Sequence, residues 1–310
     1  MEYRTLGRTG LQVSVLGLGA GGPSRLGQRD GVNSEAESAA ILQKGFDAGI
    51  NFIDTAEAYK TEGIVGLALQ GRDRDSIIIS TKKSMGKNRI KPDEVAPALE
   101  ASLRQMGTDY IDVYHLHGVA ADVYDYALNE IVPVLQTMQR DGKIRYIGIT
   151  ESWNSDPRHD MLIKAVQDDV WDVMMVGFNV LNQTARDRVF APAIEKNIGI
   201  LIMFAVRLAL SREEHLRDTI RDLIQQGQLD PADIDTDNPL SFLLNQAPTI
   251  PDAAYRFCRD EPGTHVVLSG TGNPAHLQSN IETFDRPALS PAVVERLKHI
   301  FRNVDSATGQ

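Results

Sequence analysis

The sequence predicts an α/β protein of the (β/α)8 TIM-barrel class: a parallel sheet closed on itself, with a long loop insertion after the seventh strand and an extra C-terminal helix. Three observations carry this. Short apolar runs alternate with amphipathic runs from Val13 to Thr283, which is the pattern of parallel strands covered by helices. Eight such units in 310 residues favour closure over an open doubly wound sheet. No composition break, low-complexity tract or longer repeat divides the chain, so residues 1–310 are read as one domain.

In order, Tyr3 to Val13 alternates weakly around Gly7 and Gly10 and suits a short hairpin; Val13–Leu18 is the first core strand. Gly17-Leu18-Gly19-Ala20-Gly21-Gly22 matches the dinucleotide pattern GxGxxG. That pattern needs a helix opening on its last glycine, whereas Pro23, Gly27 and Gly31 follow and no helical run begins before Ser34. The glycines are therefore read as a loop that lets a ligand approach the backbone at Gly19. Helix Ser34–Ala48 leads to strand Asn51–Asp54, and a short helix follows near Glu62–Leu69. Strand Ser76–Thr81 precedes helix Pro92–Met106, and strand Ile111–His117 precedes helix Asn129–Arg140. Strand Ile144–Ile149 leads to a helix near Arg158–Gln167, and strand Val173–Phe178 to helix Arg186–Lys196. Strand Ile200–Phe204 precedes the insertion Arg207–Pro251, read as a candidate lid with helices near Arg212–Gln226 and Leu240–Gln246. Strand His265–Ser269, helix Ala275–Thr283 and the added helix Pro291–Phe301 complete the chain.

Composition narrows the function. There are 42 acidic residues against 32 basic ones, a net charge of −10 with no basic run. That balance opposes binding to nucleic acid or an anionic membrane. No apolar run approaches the roughly 20 residues of a membrane-spanning helix. Met1 to Thr5 lacks the basic-then-apolar order of a secretory signal, so a cytoplasmic location is expected. The single cysteine, Cys258, rules out an internal disulfide framework and is read as an apolar filler near a helix. No His/Cys/Asp cluster has the spacing of metal ligands. The acidic run Asp230–Asn238 lacks the central glycine and closing glutamate of a calcium loop and reads as a solvated turn.

The chemistry gathers at strand ends. One strand ends on Asp54, with Tyr59 five residues on; the next ends Thr81-Lys82-Lys83; the third ends His115-Leu116-His117. In a parallel barrel such ends converge on one pit. A buried lysine needs a compensating charge, which Asp54 offers. A lysine beside Tyr59 would lower the phenol's pKa and make it a usable acid near neutrality. Neutral His117 could hold a carbonyl by a hydrogen bond. His115 and Lys83 are read as structural or solvated neighbours.

Phe52-Ile53-Asp54-Thr55-Ala56 with Tyr59, Thr81-Lys82, Asp109-Tyr110-Ile111-Asp112-Val113-Tyr114 leading to His117, and Gly142-Lys143-Ile144-Arg145-Tyr146-Ile147-Gly148 together resemble the aldo-keto reductases. The resemblance runs from Arg4 to Asn280. It implies an oxidoreductase moving a hydride between NADP or NAD and a small carbonyl or sugar substrate. By it, Tyr59 is the general acid/base, Lys82 and Asp54 tune it, and His117 orients substrate. The cofactor would lie across the strand ends without a Rossmann domain.

Several positions depart from the family pattern. Its Ser-Asn at the carboxamide site is Thr150-Glu151 here; Thr150 can donate to the amide oxygen and Glu151 accept from the amide nitrogen. Its glutamine falls at Met175 and its stacking aromatic at Met203, a softer platform. Trp153, just beyond, is expected to line the substrate pocket, and Arg207 to reach the cofactor pyrophosphate. Gly270, Thr271 and Gly272 offer backbone N–H groups to an anion, and Gln278 and Asn280 suit a ribose hydroxyl or an adenine edge. Ser269–Asn280 holds no Lys or Arg, so weak discrimination between NADP and NAD is expected. Two alternatives accompany this reading: an NAD-dependent aldose dehydrogenase, and a non-catalytic cofactor-binding subunit, against which the complete set of four argues.

Overall fold

A computed structural model describes residues 1–85 and 89–310. β1 (Tyr3–Thr5) and β2 (Gln12–Ser14) form an antiparallel hairpin. The barrel follows in chain order: β3 (Leu16–Gly19), β4 (Phe52–Asp54), β5 (Ile78–Ser84), β6 (Ile111–Val119), β7 (Ile144–Glu151), β8 (Val173–Gly177), β9 (Gly199–Met203) and β10 (Val266–Ser269). β10 pairs in parallel with both β9 and β3, which closes the ring.

Side chains along a strand alternate between faces. Phe52, Ile78, Val113, Val173, Met175, Leu201 and Val266 meet inside the barrel, and Leu6, Leu11 and Val13 of the hairpin segment plug its N-terminal end. Two residues further along β4 is Asp54; along β5 come Ser80 and Lys82; along β6 come His115 and His117. The same alternation that buries Phe52, Ile78 and Val113 therefore delivers these polar groups inside the barrel, above the plug. Beneath them, the Asp112 carboxylate accepts from Arg74 at 2.7 Å, Arg145 at 2.9 Å and the Ile79 N–H at 2.9 Å. This clamp ties β5, β6 and β7, and it gives the Asp109–Val113 motif a structural purpose.

Most helices match the sequence periodicity. α1 (Glu35–Asp47) starts on a reciprocal capping box between Ser34 and Glu37. α2 (Glu62–Leu69) follows the turn carrying Tyr59. α3 (Pro92–Met106) opens on proline and ends at Gly107, at φ 64°. α4 (Tyr124–Tyr126) passes through a π-helical stretch, Ala127–Ile131, into α5 (Val132–Arg140), so this helix begins five residues before the expected Asn129. α6 (Asp160–Ala165) is shorter than expected, and a π stretch, Arg186–Phe190, leads into α7 (Ala191–Glu195).

The first helix expected in the insertion is present and the second is not. The insertion holds α8 (Leu208–Ser211) and α9 (Glu213–Gln225), and α9 buries Leu216, Ile220 and Leu223. A 3-10 turn, Ser241–Asn245, replaces the second expected helix. α10 (Ile250–Arg259), which sequence periodicity did not reveal, starts with Pro251 in its first turn and buries Asp252, Arg256 and Arg259 along with its apolar face. α11 (Pro274–Asp285) and α12 (Pro291–Ile300) complete the chain. In the acidic turn, Asp233 accepts from Arg302 at 2.7 Å and lies 3.2 Å from His299.

The GxGxxG run opens no α-helix; only a three-residue 3-10 turn, Arg25–Gly27, precedes α1. A Cβ at Gly17 would come within 2.6 Å of Val266 inside the barrel, and one at Gly21 within 2.4 Å of the Tyr59 ring. Close packing requires these two glycines. Cys258 is fully buried in α10, and burial pushes its thiol up. No helix among the described residues is long and apolar enough to cross a membrane.

Candidate active site

Asp54 is the last residue of β4, and Lys82 lies near the end of β5. Lys82 Nζ donates to Asp54 Oδ2 at 2.6 Å and to the Thr55 carbonyl at 2.7 Å. Ser80 donates to Asp54 Oδ1 at 2.7 Å. Both charged side chains are essentially sealed from water, so the pair stands on mutual attraction and these extra bonds. Burial pushes the Asp54 carboxyl up, while Lys82 and Ser80 oppose it.

Tyr59 ends the 3-10 turn Glu57–Tyr59, closed by Lys60 in a left-handed conformation at φ 59°. The turn swings the phenol back over the barrel. Lys82 Nζ lies 5.1 Å from the Tyr59 ring centroid. Tyr59 Oη lies 3.3 Å from His117 Nε2, with the two rings edge-to-face at 89°. Ser84 Oγ is 3.4 Å from His117 Nδ1. Burial and the Lys82 charge push His117 down to about 3, so the imidazole is neutral at ordinary pH.

The phenol departs from the sequence expectation. Lys82 pulls its pKa down, but burial pushes it up more strongly, and the net direction is upward. The half-buried phenol thus stays protonated across the neutral range.

Lys83 faces the other way, as alternation requires, and pairs with Glu57 at 2.7 Å. His115 is wholly buried beneath Lys82, its ring leaning where Gly148 leaves room. Burial, with help from Lys82, drives its pKa well below the usual histidine value.

The residues expected to meet a cofactor divide. Thr150 sits at the strand ends, buried, its hydroxyl accepting from the Gly118 N–H at 2.8 Å and keeping its own hydrogen to donate. Met175 packs in the barrel interior and Met203 against it. Gly19 and Gly270 lie against each other where β3 and β10 end. Thr271 and Gly272 are partly exposed just before α11. Asn280 donates to Ser269 Oγ at 2.7 Å, and exposed Gln278 donates to Glu282 at 3.0 Å.

Glu151 does not present the free acceptor expected of it. Its carboxylate lies 2.8 and 3.0 Å from His159 Nδ1 and accepts from the Gly177 N–H at 2.7 Å, with no side-chain surface exposed. Trp153 is not an open pocket wall either, being 1% exposed. It stacks between His159 and Phe204 at centroid distances of 6.2 and 6.0 Å. Arg207 continues the pile, 3.7 Å above Phe204. His159, Phe204 and Asn154 were not singled out in the sequence, since the pile joins residues as far apart as Asn154 and Arg207.

Arg207 is buried with spare donor capacity. Its Nη1 donates to Asn154 at 2.7 Å, its Nε is buried without a partner, and no carboxylate pairs with it among the described residues. Burial lowers it to about 10, so it stays cationic at neutral pH. A pyrophosphate is the kind of group such an arginine suits.

A family model, the Aldo/keto reductase family, matches residues 16–302. L-galactose dehydrogenase of Arabidopsis thaliana is 34% identical over 157 residues, 48% of either chain. The NADH-specific methylglyoxal reductase of Escherichia coli (strain K12) is 25% identical over 317 residues, covering 91% of this chain and 93% of that one. The holo form of an aldo-keto reductase from Bacillus halodurans superposes with a TM-score of 0.74 at 24% identity, covering 99% of this chain and 97% of that one. This closed barrel, with its polar groups gathered at the strand ends, belongs to the aldo/keto reductase family. It is an oxidoreductase of the nicotinamide-dependent kind that works on carbonyl compounds.

Proposed function

We propose that this chain interconverts a carbonyl and an alcohol with NAD(P)(H), Tyr59 giving a proton to the carbonyl oxygen in reduction and taking it back in oxidation. The observation that carries the reading is the Tyr59 hydroxyl 3.3 Å from His117 Nε2, beside a lysine held 2.6 Å from Asp54. When bound, the nicotinamide supplies the hydride, or takes it up in the reverse direction. The chain's own groups do the rest. With Nδ1 accepting from Ser84, neutral His117 turns a hydrogen toward the carbonyl oxygen and fixes its place. Tyr59 donates to the same oxygen as charge builds there. Lys82 stabilises the phenolate left behind, and Asp54 keeps Lys82 in position. Arg207 holds the pyrophosphate, and Thr150 donates to the carboxamide oxygen.

The approach to α11 offers backbone N–H groups but no basic side chain, and Gln278 is engaged by an acid, Glu282. That supports use of NAD(H) with weak discrimination against NADP(H). A second reading, NAD-linked oxidation of a sugar hemiacetal, is favoured by relatives named for it: L-galactose dehydrogenase and the D-threo-aldose 1-dehydrogenase of a Pseudomonas species. The test is a panel of aldehydes, ketones and aldoses run in both directions with each cofactor, followed at the nicotinamide absorbance. Turnover with at least one pair is expected. Cofactor binding without turnover anywhere would favour the non-catalytic subunit.

A further inference from the structure

Glu62 is only 1% exposed, and the chemistry above makes no use of it. It opens α2, three residues after Tyr59. Its Oε1 accepts from Thr81 Oγ1 at 2.6 Å, while Oε2 is buried with no hydrogen-bond partner among the described residues. Thr81 is itself fully buried and directly precedes Lys82 on β5. Alternation turns Lys82 into the barrel and Thr81 out toward α2. A buried carboxyl with one oxygen unmatched lowers stability relative to an apolar side chain of the same shape. Packing alone gives no reason for an acid there.

The acid closes a brace. The segment from Asp54 to Glu62, which carries Tyr59, meets three successive residues of β5. At its start, inside the barrel, Ser80 donates to Asp54 at 2.7 Å, and the Ser80 carbonyl accepts from the Thr55 N–H at 2.9 Å. Lys82 donates to the Asp54 carboxylate and to the Thr55 carbonyl. At its end, outside the barrel, Thr81 holds Glu62. The segment therefore straddles the end of β5. Between these anchors Thr55 Oγ1 lies 2.9 Å from Thr61 Oγ1, which ties the turn to itself, and Thr61 donates to the Ala20 carbonyl at 3.2 Å. The residue after Ala20, Gly21, backs the Tyr59 ring. The phenol's reach to His117 Nε2 thus depends on both ends of the segment, and the Asp54–Lys82 pair accounts for one of them.

We propose that Glu62 is a positioning residue: its bond to Thr81 sets the second end of the Tyr59 segment against β5 and so holds the phenol in register with Lys82 and His117. This rests on the reading of Tyr59 as the proton donor. Glu62 touches neither substrate nor cofactor and moves no proton. A displacement of ~1 Å at a reacting group costs about 10²-fold in rate, so the brace acts on kcat rather than on binding.

The test uses the double variant Glu62→Met/Thr81→Val. Replacing both polar partners by apolar groups of similar shape is nearly neutral for stability, so the fold is kept and only the tie is lost. The expected result is a urea midpoint near that of wild type, cofactor affinity by fluorescence within about twofold, and kcat lower by ~10- to 100-fold. Thr81→Val alone should lose kcat to the same extent, and Thr81→Ser, which keeps the hydroxyl, should stay within about threefold of wild type. In a Tyr59→Phe background the double substitution should cost nothing further, because the group it positions is gone. A kcat within about threefold of wild type in the double variant overturns the proposal. An equal further loss in the Tyr59→Phe background places the effect elsewhere and overturns it too. If Tyr59→Phe alone keeps its turnover, the proton-donor reading fails instead, and hydrogen exchange decides the brace. The Tyr59 N–H, bonded to the Ala56 carbonyl at 2.9 Å, should then exchange ~10-fold faster in the double variant than in wild type. Equal exchange in the two overturns the brace.

Discussion

Lys82 reaches from β5 to the carboxylate of Asp54 on β4, 2.6 Å away, and both side chains are hidden from water. Its neighbour Lys83 points outward to Glu57 and keeps partial exposure. Adjacent lysines thus live in opposite environments. Removing one partner of a buried pair leaves an uncompensated charge and costs about 3–5 kcal/mol, whereas an exposed pair contributes roughly 0–1 kcal/mol. Lys82→Met should lose most activity and unfold at markedly lower urea, while Lys83→Met should resemble wild type in both. Equal damage from the two substitutions in paired urea and rate measurements would reverse the orientation of β5.

The pH dependence of the reaction should be one-sided. His117 is pushed down to about 3, so no histidine step belongs in the neutral range. Tyr59 is pushed up, so the phenol stays protonated there. Reduction should therefore be flat from about pH 6 to 8, since the acid form is already populated. Oxidation needs the phenolate and should rise with pH through the same range. Profiles of kcat/KM in both directions check this; a fall in reduction rate with a midpoint near the histidine value would assign the proton to His117.

Acid should weaken the fold before it protonates most carboxylates. His117 is depressed to about 3, His265 to about 4, and His115 well below its ordinary value. In the native state they stay neutral at pH 5 to 6.5, while the unfolded chain takes up protons there. Stability contributed by these groups is present above the unfolded histidine pKa and is lost as pH falls below it. His265 accepts the Ile200 N–H at Nδ1, 3.0 Å away, in its neutral form. Urea unfolding at several pH values should show stability falling from pH 6.5 to 5, with a slope shallower by up to one proton in His265→Gln. An unchanged slope in that variant would contradict the assignment.

The gathering of these polar side chains at the strand ends was legible because it rests on alternation. Knowing that Phe52, Ile78 and Val113 are buried in strands is enough to turn Asp54, Lys82 and His117 inward, and the short spacing from Asp54 to Tyr59 permits only a turn at the strand end. What depends on distant partners was not legible. Glu151 reads locally as a free acceptor, yet His159 and Gly177 consume it. α10 was missed because its charged residues look like a solvated segment. In the fold, Arg256 donates to the carbonyls of Gln246 and Pro287, and Arg259 to those of Phe284 and Arg286. The direction of the Tyr59 shift was also out of reach, since sequence supplies the neighbouring lysine but not the depth of burial.

Cofactor preference should be weak. A 2′-phosphate needs charged donors to offset its desolvation, and Ser269–Asn280 has none. The kcat/KM for NADH and NADPH with one good substrate should agree within roughly 100-fold, about 2.7 kcal/mol. A larger NADPH preference would require a basic clamp elsewhere on the strand ends.

The Tyr59–His117 contact carries the functional account, and Tyr59→Phe isolates the hydroxyl from the ring that packs on Gly21. The decisive measurement is steady-state turnover of this variant beside its cofactor affinity by fluorescence titration. The expected result is near-normal affinity with turnover reduced by ~10²- to 10⁴-fold, the usual worth of acid–base catalysis. Near-normal turnover with cofactor binding intact would contradict the role of Tyr59 as the proton donor.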